Sequence, residues 1–194
     1  MFKQLLTRNP LFVFALEQEA GNHFSNVRLL FTGVGKINAA YRLTKEISGN
    51  KPDIIVNLGS AGSNVFERGA VVCCTRFVQR DMDAAGIGCE KYETPFSNIG
   101  PNLDYGIEID ELPKGICGTG DNFEIDHSVP DYNVVDMEAY SLAYIAAQEQ
   151  IPFLCLKYIS DGADEGAAED WTTMVEHAAN ALKQVVDRLM PQLI

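Results

Sequence analysis

The 194-residue sequence predicts an α/β fold, a three-layer α/β/α sandwich around a central mixed, twisted sheet. Short runs of apolar and aromatic residues, bounded by Gly, Pro, Asn or Asp, recur along the chain and are typical of interior strands. Longer segments with apolar residues at helical spacing alternate with these runs. Strands and crossover helices in one chain favour a largely parallel or mixed sheet between layers of helices.

These patterns place seven strands, at about residues 11–16, 27–32, 53–58, 69–78, 115–118, 132–135 and 153–159. They place three helices, at about 36–48, 137–149 and 168–190. The stretch 81–112 is rich in Gly and Pro, so it is expected to be mainly loop with a short strand or edge hairpin at most. A chain of this length can bury one sizeable core, and we expect residues 1–194 to form a single domain.

Composition narrows the class of protein. A hydrophobic content of 46% and a charged content of 22% are ordinary for a soluble globular protein. The formal net charge of −12 argues against nucleic acid and an anionic membrane surface as partners. No apolar stretch approaches the ~20 residues that span a bilayer, and the first residues lack the apolar core of a signal peptide. A cytoplasmic location is therefore expected.

Metal and cofactor chemistry has no motif in this sequence. The five cysteines are odd in number and lack C-x-x-C spacing, which predicts neither a zinc site nor a disulfide framework. Those in apolar runs are expected to pack as small hydrophobic residues. The three histidines fit no H-E-x-x-H pattern. We expect no metal and no cofactor.

Polar and acidic residues follow four of the predicted strands. Because open α/β sheets bind their ligands beyond the carboxyl ends of strands, these residues predict an enzyme cleft. The four segments are Glu17-Gln-Glu19, Gly59-Ser-Ala-Gly62, Asp136-Met-Glu138 and Ser160-Asp-Gly-Ala-Asp164.

The sequence resembles the nucleoside phosphorylase/nucleosidase superfamily, and within it the branch of 5′-methylthioadenosine/S-adenosylhomocysteine nucleosidases. Five blocks, together with a looser one at Gly118-Thr-Gly-Asp-Asn-Phe123, carry the resemblance in the family's order. The five are Ala15-Leu-Glu-Gln-Glu19, Thr32-Gly-Val-Gly-Lys36, Asn57-Leu-Gly-Ser-Ala-Gly62, Val135-Asp-Met-Glu-Ala139 and Ile159-Ser-Asp-Gly-Ala-Asp164. The chain is somewhat shorter than usual for the family, mainly in the stretch 81–112.

The resemblance implies an enzyme that hydrolyses the N-glycosidic bond of a purine nucleoside to free base and sugar. The implied substrates are 5′-methylthioadenosine and S-adenosylhomocysteine, as in methionine salvage. It also implies a homodimer in which a loop of the neighbouring subunit closes the pocket for the 5′-substituent.

Two carboxylates take catalytic roles by this resemblance. Asp161 corresponds to the acid that protonates the departing base, and Glu19 to the group that activates water. Both have plainer interpretations. Asp161 could cap a following turn. Glu19 could belong to a solvated helix start, and spacing alone does not choose between Glu19 and Glu17, which share a face if the preceding strand continues.

The same resemblance assigns four further residues to substrate binding. Glu138 corresponds to the ribose-binding carboxylate and Met137 to the apolar residue under the sugar. Ser60 would fix the water or the sugar, and Ser160, which precedes Asp161, is counted with the substrate-binding residues. Met137 could equally be a helix core residue, and Ser60 part of a simple turn.

Two aromatic residues complete the predicted site. Phe123 corresponds to the residue that stacks on adenine, and Trp171 to an aromatic lining the 5′-pocket. Trp171, the single tryptophan, could instead anchor its helix to the core. Glu124 departs from the family, which has an aliphatic residue there.

Two alternatives to a hydrolase remain. A phosphorylase would use phosphate instead of water, and phosphate recognition requires Arg forks or exposed amides. The turn Gly33-Val-Gly35 could offer amides, but the chain has Asn57-Leu58 where the phosphorylase pattern has an Arg. A non-catalytic nucleoside-binding module is the other alternative, and it has no need of two opposed acid–base groups.

Overall fold

The computed structural model of the protein describes residues 9–164 and 167–189. The last residue of the predicted helix 168–190 lies outside them. The strands are β1 Pro10–Phe14, β2 Leu29–Phe31, β3 Ile54–Gly62, β4 Val71–Gln79, β5 Asn102–Asp104, β6 Lys114–Thr119, β7 Val134–Asp136 and β8 Phe153–Asp161. The helices are α1 Glu17–Ala20, α2 Lys36–Gly49, α3 Ala139–Gln148 and α4 Ala167–Leu189, and a 3₁₀ turn lies at Ala85–Ile87.

The eight strands form one mixed sheet. Its centre is the parallel pair β3–β8, and β8 continues antiparallel to β4. From β4 the sheet runs through parallel pairs to β6 and β7, and β7 returns antiparallel to β3 at Gly62 and Val135. These five strands therefore close on themselves, while β1 and β2 extend the sheet from β3. The predicted mixed sheet is confirmed, but its closure is a feature that the sequence patterns did not predict.

Helices cover both faces of the sheet, so the predicted three layers are confirmed. Alternate residues of one strand point to opposite faces. In β1, Leu11 and Val13 pack with α2 and α3, whereas Phe12 and Phe14 pack in a second core that includes α4. Strands buried on both faces read as continuous apolar runs, which is why they were visible in the sequence.

The differences from the predicted elements lie near the cleft. Strand β3 continues to Gly62, beyond the predicted end at 58, because its last residues keep pairing with β8. Strand β1 ends at Phe14, and the chain then turns into the short helix α1 instead of continuing as a strand. The stretch 81–112 holds the 3₁₀ turn and the edge strand β5, as expected.

The described residues bear on the expectations for membrane spans, metal sites and cysteines. None of the helices in the described part of the chain combines the length and apolarity needed to cross a bilayer. Across the same residues, no three His, Cys, Asp or Glu side chains gather in a way that could hold a metal ion. Cys73, Cys74, Cys117 and Cys155 are buried as free thiols.

Candidate active site

A cavity of about 220 Å³ opens where β3, β7 and β8 end. Helix α1, the loop after β6 and the first turns of α4 complete its wall. All of the residues predicted for the site except Ser160 line it: Glu19, Ser60, Phe123, Met137, Glu138, Asp161 and Trp171. Side chains far apart in the sequence thus meet in one cavity, several of them at or just beyond the ends of strands.

Glu19 is buried at one side of the cavity, in the first turn of α1. Its Oε1 accepts hydrogen bonds from the Ser60 amide at 2.8 Å and the Ser60 hydroxyl at 2.7 Å. Its Oε2 accepts the Leu16 amide at 3.1 Å. A Cβ on Gly59 would lie 3.1 Å from Oε1, so glycine leaves room for the carboxylate. Glu17 is exposed. Burial therefore distinguishes Glu19 from Glu17, which sequence spacing alone did not.

Asp161 is buried at the end of β8. Its Oδ1 accepts the Ala163 amide at 2.9 Å, and its Oδ2 accepts the Ser160 hydroxyl at 2.8 Å. The hydrogen bond from the Ala163 amide means that Asp161 caps the following turn, and Asp161 also lines the cavity. A Cβ on Gly62 would lie 2.5 Å from Oδ1, closer than real Cβ contacts allow. Because Gly62 has no side chain, the backbone of β3 can lie this close to the Asp161 carboxyl.

Ser160 occupies a different place from the one expected of a substrate-binding residue. Its side chain is fully buried, and its hydroxyl donates to Asp161, with the Ala61 carbonyl as a longer alternative acceptor at 3.3 Å. Successive residues of a strand point to opposite faces, so Ser160 and Asp161 cannot both face the cavity. Ser160 therefore orients Asp161.

Glu138 lies directly before α3 and accepts the Gly35 amide at 2.8 Å. Burial, and after it the repulsion of neighbouring Asp136, raise the pKa of Glu138 to about 8. Met137 is half-buried beside it and lines the cavity. Met137 thus presents an apolar surface to the cavity, and Glu138 presents a carboxyl that can form hydrogen bonds.

A buried ion pair lies beneath these groups and was not predicted from the sequence. Lys157 Nζ is 2.8 Å from Asp136 Oδ2, with side-chain exposures of 3% and 1%. Thr119 Oγ1 and the Ala139 amide also donate to Asp136, at 2.6 and 2.9 Å. Burial is the largest single influence and opposes ionisation, but the attraction of Lys157 together with the hydrogen bonds from Thr119 and Ala139 keeps the pKa of Asp136 below its usual value. The one cation inside the apolar β8 run, Lys157, was the sequence signal for this pair.

The loop after β6 forms the end of the cavity where Phe123 is half-exposed. Here the guanidinium of Arg80, 4% exposed, pairs with Glu124 at 3.0 Å and also donates to Asn122 Oδ1 at 2.8 Å. Glu124, which stands where the family has an aliphatic residue, is thus paired with the guanidinium of Arg80. Arg80, like Asp136, lines the cavity and was not predicted for the site from the sequence.

The proton on Glu138 predicts how stability depends on pH. Its pKa, ordinarily 4.5, is raised to about 8 in the folded protein, so between these values the folded state holds a proton that the unfolded state has lost. This contribution is fully present below about pH 4.5 and is lost as pH rises through 8. We expect thermal melts to show the wild type losing stability between pH 5 and 8, on the order of a few kcal/mol.

Glu138→Gln should flatten this pH dependence because the amide does not titrate. The matched control is Glu17→Gln, which changes an exposed acid and should retain the wild-type slope. An equal slope in Glu138→Gln would show that other groups cause it.

A mixed sheet closed through β7, with carboxylates around a cavity at its strand ends, defines a phosphorylase-type α/β fold. The protein belongs to the Phosphorylase superfamily, whose family model matches residues 15–191. The superfamily resemblance seen in the sequence blocks is thereby confirmed.

Relatives and solved structures agree with this assignment. The chain is 30% identical over 182 residues to a 5′-methylthioadenosine/S-adenosylhomocysteine nucleosidase of Staphylococcus aureus strain MRSA252, covering 84% of this chain and 80% of that one. It is similar in fold to the Neisseria meningitidis nucleosidase of that name in complex with methylthio-immucillin-A, with a TM-score of 0.82, 22% identity and coverage of 93% and 97%. It is also similar in fold to native futalosine hydrolase of Helicobacter pylori, with a TM-score of 0.85, 17% identity and coverage of 95% and 97%.

Proposed function

We propose that the protein hydrolyses the N-glycosidic bond of a purine nucleoside, with 5′-methylthioadenosine and S-adenosylhomocysteine as substrates. The observation that carries the proposal is the presence of two buried carboxyls, Glu19 and Asp161, on different walls of one cavity. The Staphylococcus relative that covers most of the chain is named for these two nucleosides.

The geometry suits a displacement through a sugar of oxocarbenium character. Asp161 donates a proton to the purine ring as the bond from C1′ to nitrogen breaks, which turns the base into a neutral leaving group. Glu19 removes a proton from the water whose oxygen forms the new bond to C1′. The base leaves with the proton from Asp161, and the sugar leaves with a hydroxyl at C1′.

Glu138 and Met137 are assigned to the sugar in this scheme. The carboxyl of Glu138 takes part in hydrogen bonds with the ribose hydroxyls, which become more acidic as positive charge develops on the ring. Bonds that strengthen in the transition state raise kcat as well as affinity. Met137 provides an apolar contact beneath the ring, and Phe123 a face for the base.

The charges around the cavity favour water over phosphate as the acceptor. Arg80 is the only cationic side chain that lines the cavity within the described residues, and Glu124 and Asn122 already bond its guanidinium. A dianion would have to compete with these partners.

The amides at the start of α2 are also occupied. The Gly35 amide donates to Glu138 at 2.8 Å, and the Lys36 amide donates to Asp121 at 2.8 Å. Within the Gly33-Val-Gly35 turn, the Gly35 amide therefore serves a carboxyl of the protein itself, and the Gly33 amide donates to the Ala15 carbonyl at 2.9 Å. This supports a hydrolase and weakens the phosphorylase alternative.

A non-catalytic binding module is the less favoured alternative. A buried carboxyl has to be held by hydrogen bonds from the protein, so a site that only binds would have no need to keep both Glu19 and Asp161. Here glycines at 59 and 62 make room for both acids.

We also propose a cytoplasmic, single-domain protein of methionine salvage that acts as a homodimer. Helix α2 supports the dimer, because Ile37 and Tyr41 on it are 80% and 62% exposed. Exposed apolar side chains at helical spacing are typical of a contact with another chain. Val34, just before α2, lines the cavity, so a partner seated on this helix would lie next to the site.

The function is tested by incubating the protein with 5′-methylthioadenosine, S-adenosylhomocysteine, adenosine and inosine, each with and without phosphate. We expect free adenine and a free 5-thio-substituted sugar from the first two, at rates independent of phosphate. Release of a sugar 1-phosphate only when phosphate is present would establish the phosphorylase instead. Binding without any product would establish the binding module.

A further inference from the structure

Trp171 reaches the catalytic carboxylate through another side chain. Its indole Nε1–H donates a hydrogen bond of 2.8 Å to Ser60 Oγ. The Ser60 hydroxyl in turn donates to Glu19 Oε1 at 2.7 Å. Two short hydrogen bonds therefore connect helix α4 with helix α1 across the end of β3.

The direction of each hydrogen bond follows from the chemistry of the groups. An indole N–H only donates, and a hydroxyl has one proton together with two acceptor lone pairs. When Ser60 Oγ accepts the indole proton, its own proton remains for an acceptor, and Glu19 Oε1 is placed to receive it. Without the indole donor, the same hydroxyl could rotate toward other acceptors or accept from water.

The orientation of Glu19 depends on this arrangement. Ser60 supplies two donors to Oε1, its amide and its hydroxyl, and Leu16 supplies one to Oε2. Of these, only the hydroxyl can turn away, because backbone amides are fixed by the fold. A group that activates water has to be held within a narrow range of geometries.

We infer that Trp171 is a positioning residue for hydrolysis: its indole N–H orients the Ser60 hydroxyl, which holds Glu19 for water activation. This inference rests on the proposed function and adds a role to that expected from the family resemblance, where Trp171 only lines the 5′-pocket. The two roles make different demands on the ring. The positioning role needs the N–H, whereas a 5′-pocket needs only apolar surface.

Trp171→Phe separates these demands because it keeps a flat aromatic ring and removes the donor. The loss of one neutral hydrogen bond predicts a fall in kcat of roughly tenfold for 5′-methylthioadenosine, with KM nearly unchanged. A rise in KM confined to 5′-alkylthio substrates, with kcat retained, would overturn the positioning role in favour of a pocket contact.

A double-mutant cycle tests whether Trp171 acts through Ser60. Ser60→Ala removes the hydroxyl, so adding Trp171→Phe to it should lower kcat no further. Independent effects that multiply in the double variant would overturn the proposed connection. Melting temperatures of all four proteins report whether any loss of rate comes from unfolding.

The fluorescence of Trp171 supplies a readout that needs no activity. It is the single tryptophan of the chain, so intrinsic emission reports on this side chain alone. Ser60→Ala should shift the emission, and the conservative Ser60→Thr, which keeps a hydroxyl, should shift it less. Unchanged emission in Ser60→Ala would overturn the hydrogen bond, whereas failure of the wild type to cleave any nucleoside would overturn the proposed function instead.

Discussion

Asp161→Asn is expected to lower kcat by about 10²- to 10⁴-fold, the range typical for loss of a general acid. Asparagine keeps the size of the side chain and can still accept the Ala163 amide, but it cannot give a proton to the departing base. Nucleoside binding should survive because shape is retained. The measurement is single-turnover cleavage of 5′-methylthioadenosine beside binding of the same nucleoside by calorimetry.

The matched control is Asp164→Asn, three residues further along the chain. Asp164 is largely exposed and does not line the cavity, so its variant should turn over at a rate near that of the wild type. Near-normal turnover in a folded Asp161→Asn variant would exclude this residue from the mechanism.

The rate of base release should also depend on the orientation of Asp161, because this carboxyl has to give its proton to the purine. Ser160 donates to one oxygen of that carboxyl and the Ala163 amide to the other. The acid therefore has fixed partners on the protein side, and its position does not depend on substrate. Glu19 is likewise held by donors from Ser60 and the Leu16 amide. The two carboxyls that we propose as the catalytic groups are thus preorganised.

The fold could be predicted largely because its strands are buried on both faces. Runs such as 11–16 and 153–159 are apolar at nearly every position, and burial on both sides of the sheet explains that composition. The closure of the sheet could not be predicted, since β7 meets β3 through a single pair of residues, Gly62 and Val135. One pair leaves no pattern in either strand.

The candidate site was predictable where its residues follow strands, and less so where they depend on partners distant in sequence. The Ser-Asp and Met-Glu motifs could be located from the sequence alone. Lys157 with Asp136, and Arg80 with Glu124, form ion pairs between elements far apart in the chain, and no spacing rule connects them. Charged residues within apolar runs are the one sequence signal such pairs leave, since an unpaired buried charge is too costly to keep.

The choice between Glu17 and Glu19 shows why side-chain direction needs the structure. An extended strand would have put both acids on one face, but the chain turns into α1 at Glu17. In a helix, residues two positions apart point in different directions. Glu19 consequently faces Ser60 and the cavity, whereas Glu17 faces solvent.

Glu19→Gln is expected to lower the rate of hydrolysis by about 10²- to 10⁴-fold while nucleoside binding remains measurable. The amide can keep hydrogen bonds to Ser60 and to the Leu16 amide in part, but it cannot take a proton from water. Glu17→Gln is the matched control, because it makes the same chemical change two residues away on an exposed side chain. Rates are to be measured with enzyme in excess over 5′-methylthioadenosine, so that slow product release does not hide the chemical step. An inactive Glu17→Gln beside an active Glu19→Gln would reverse the assignment of the catalytic base, since burial and hydrogen bonding would then have identified the wrong acid.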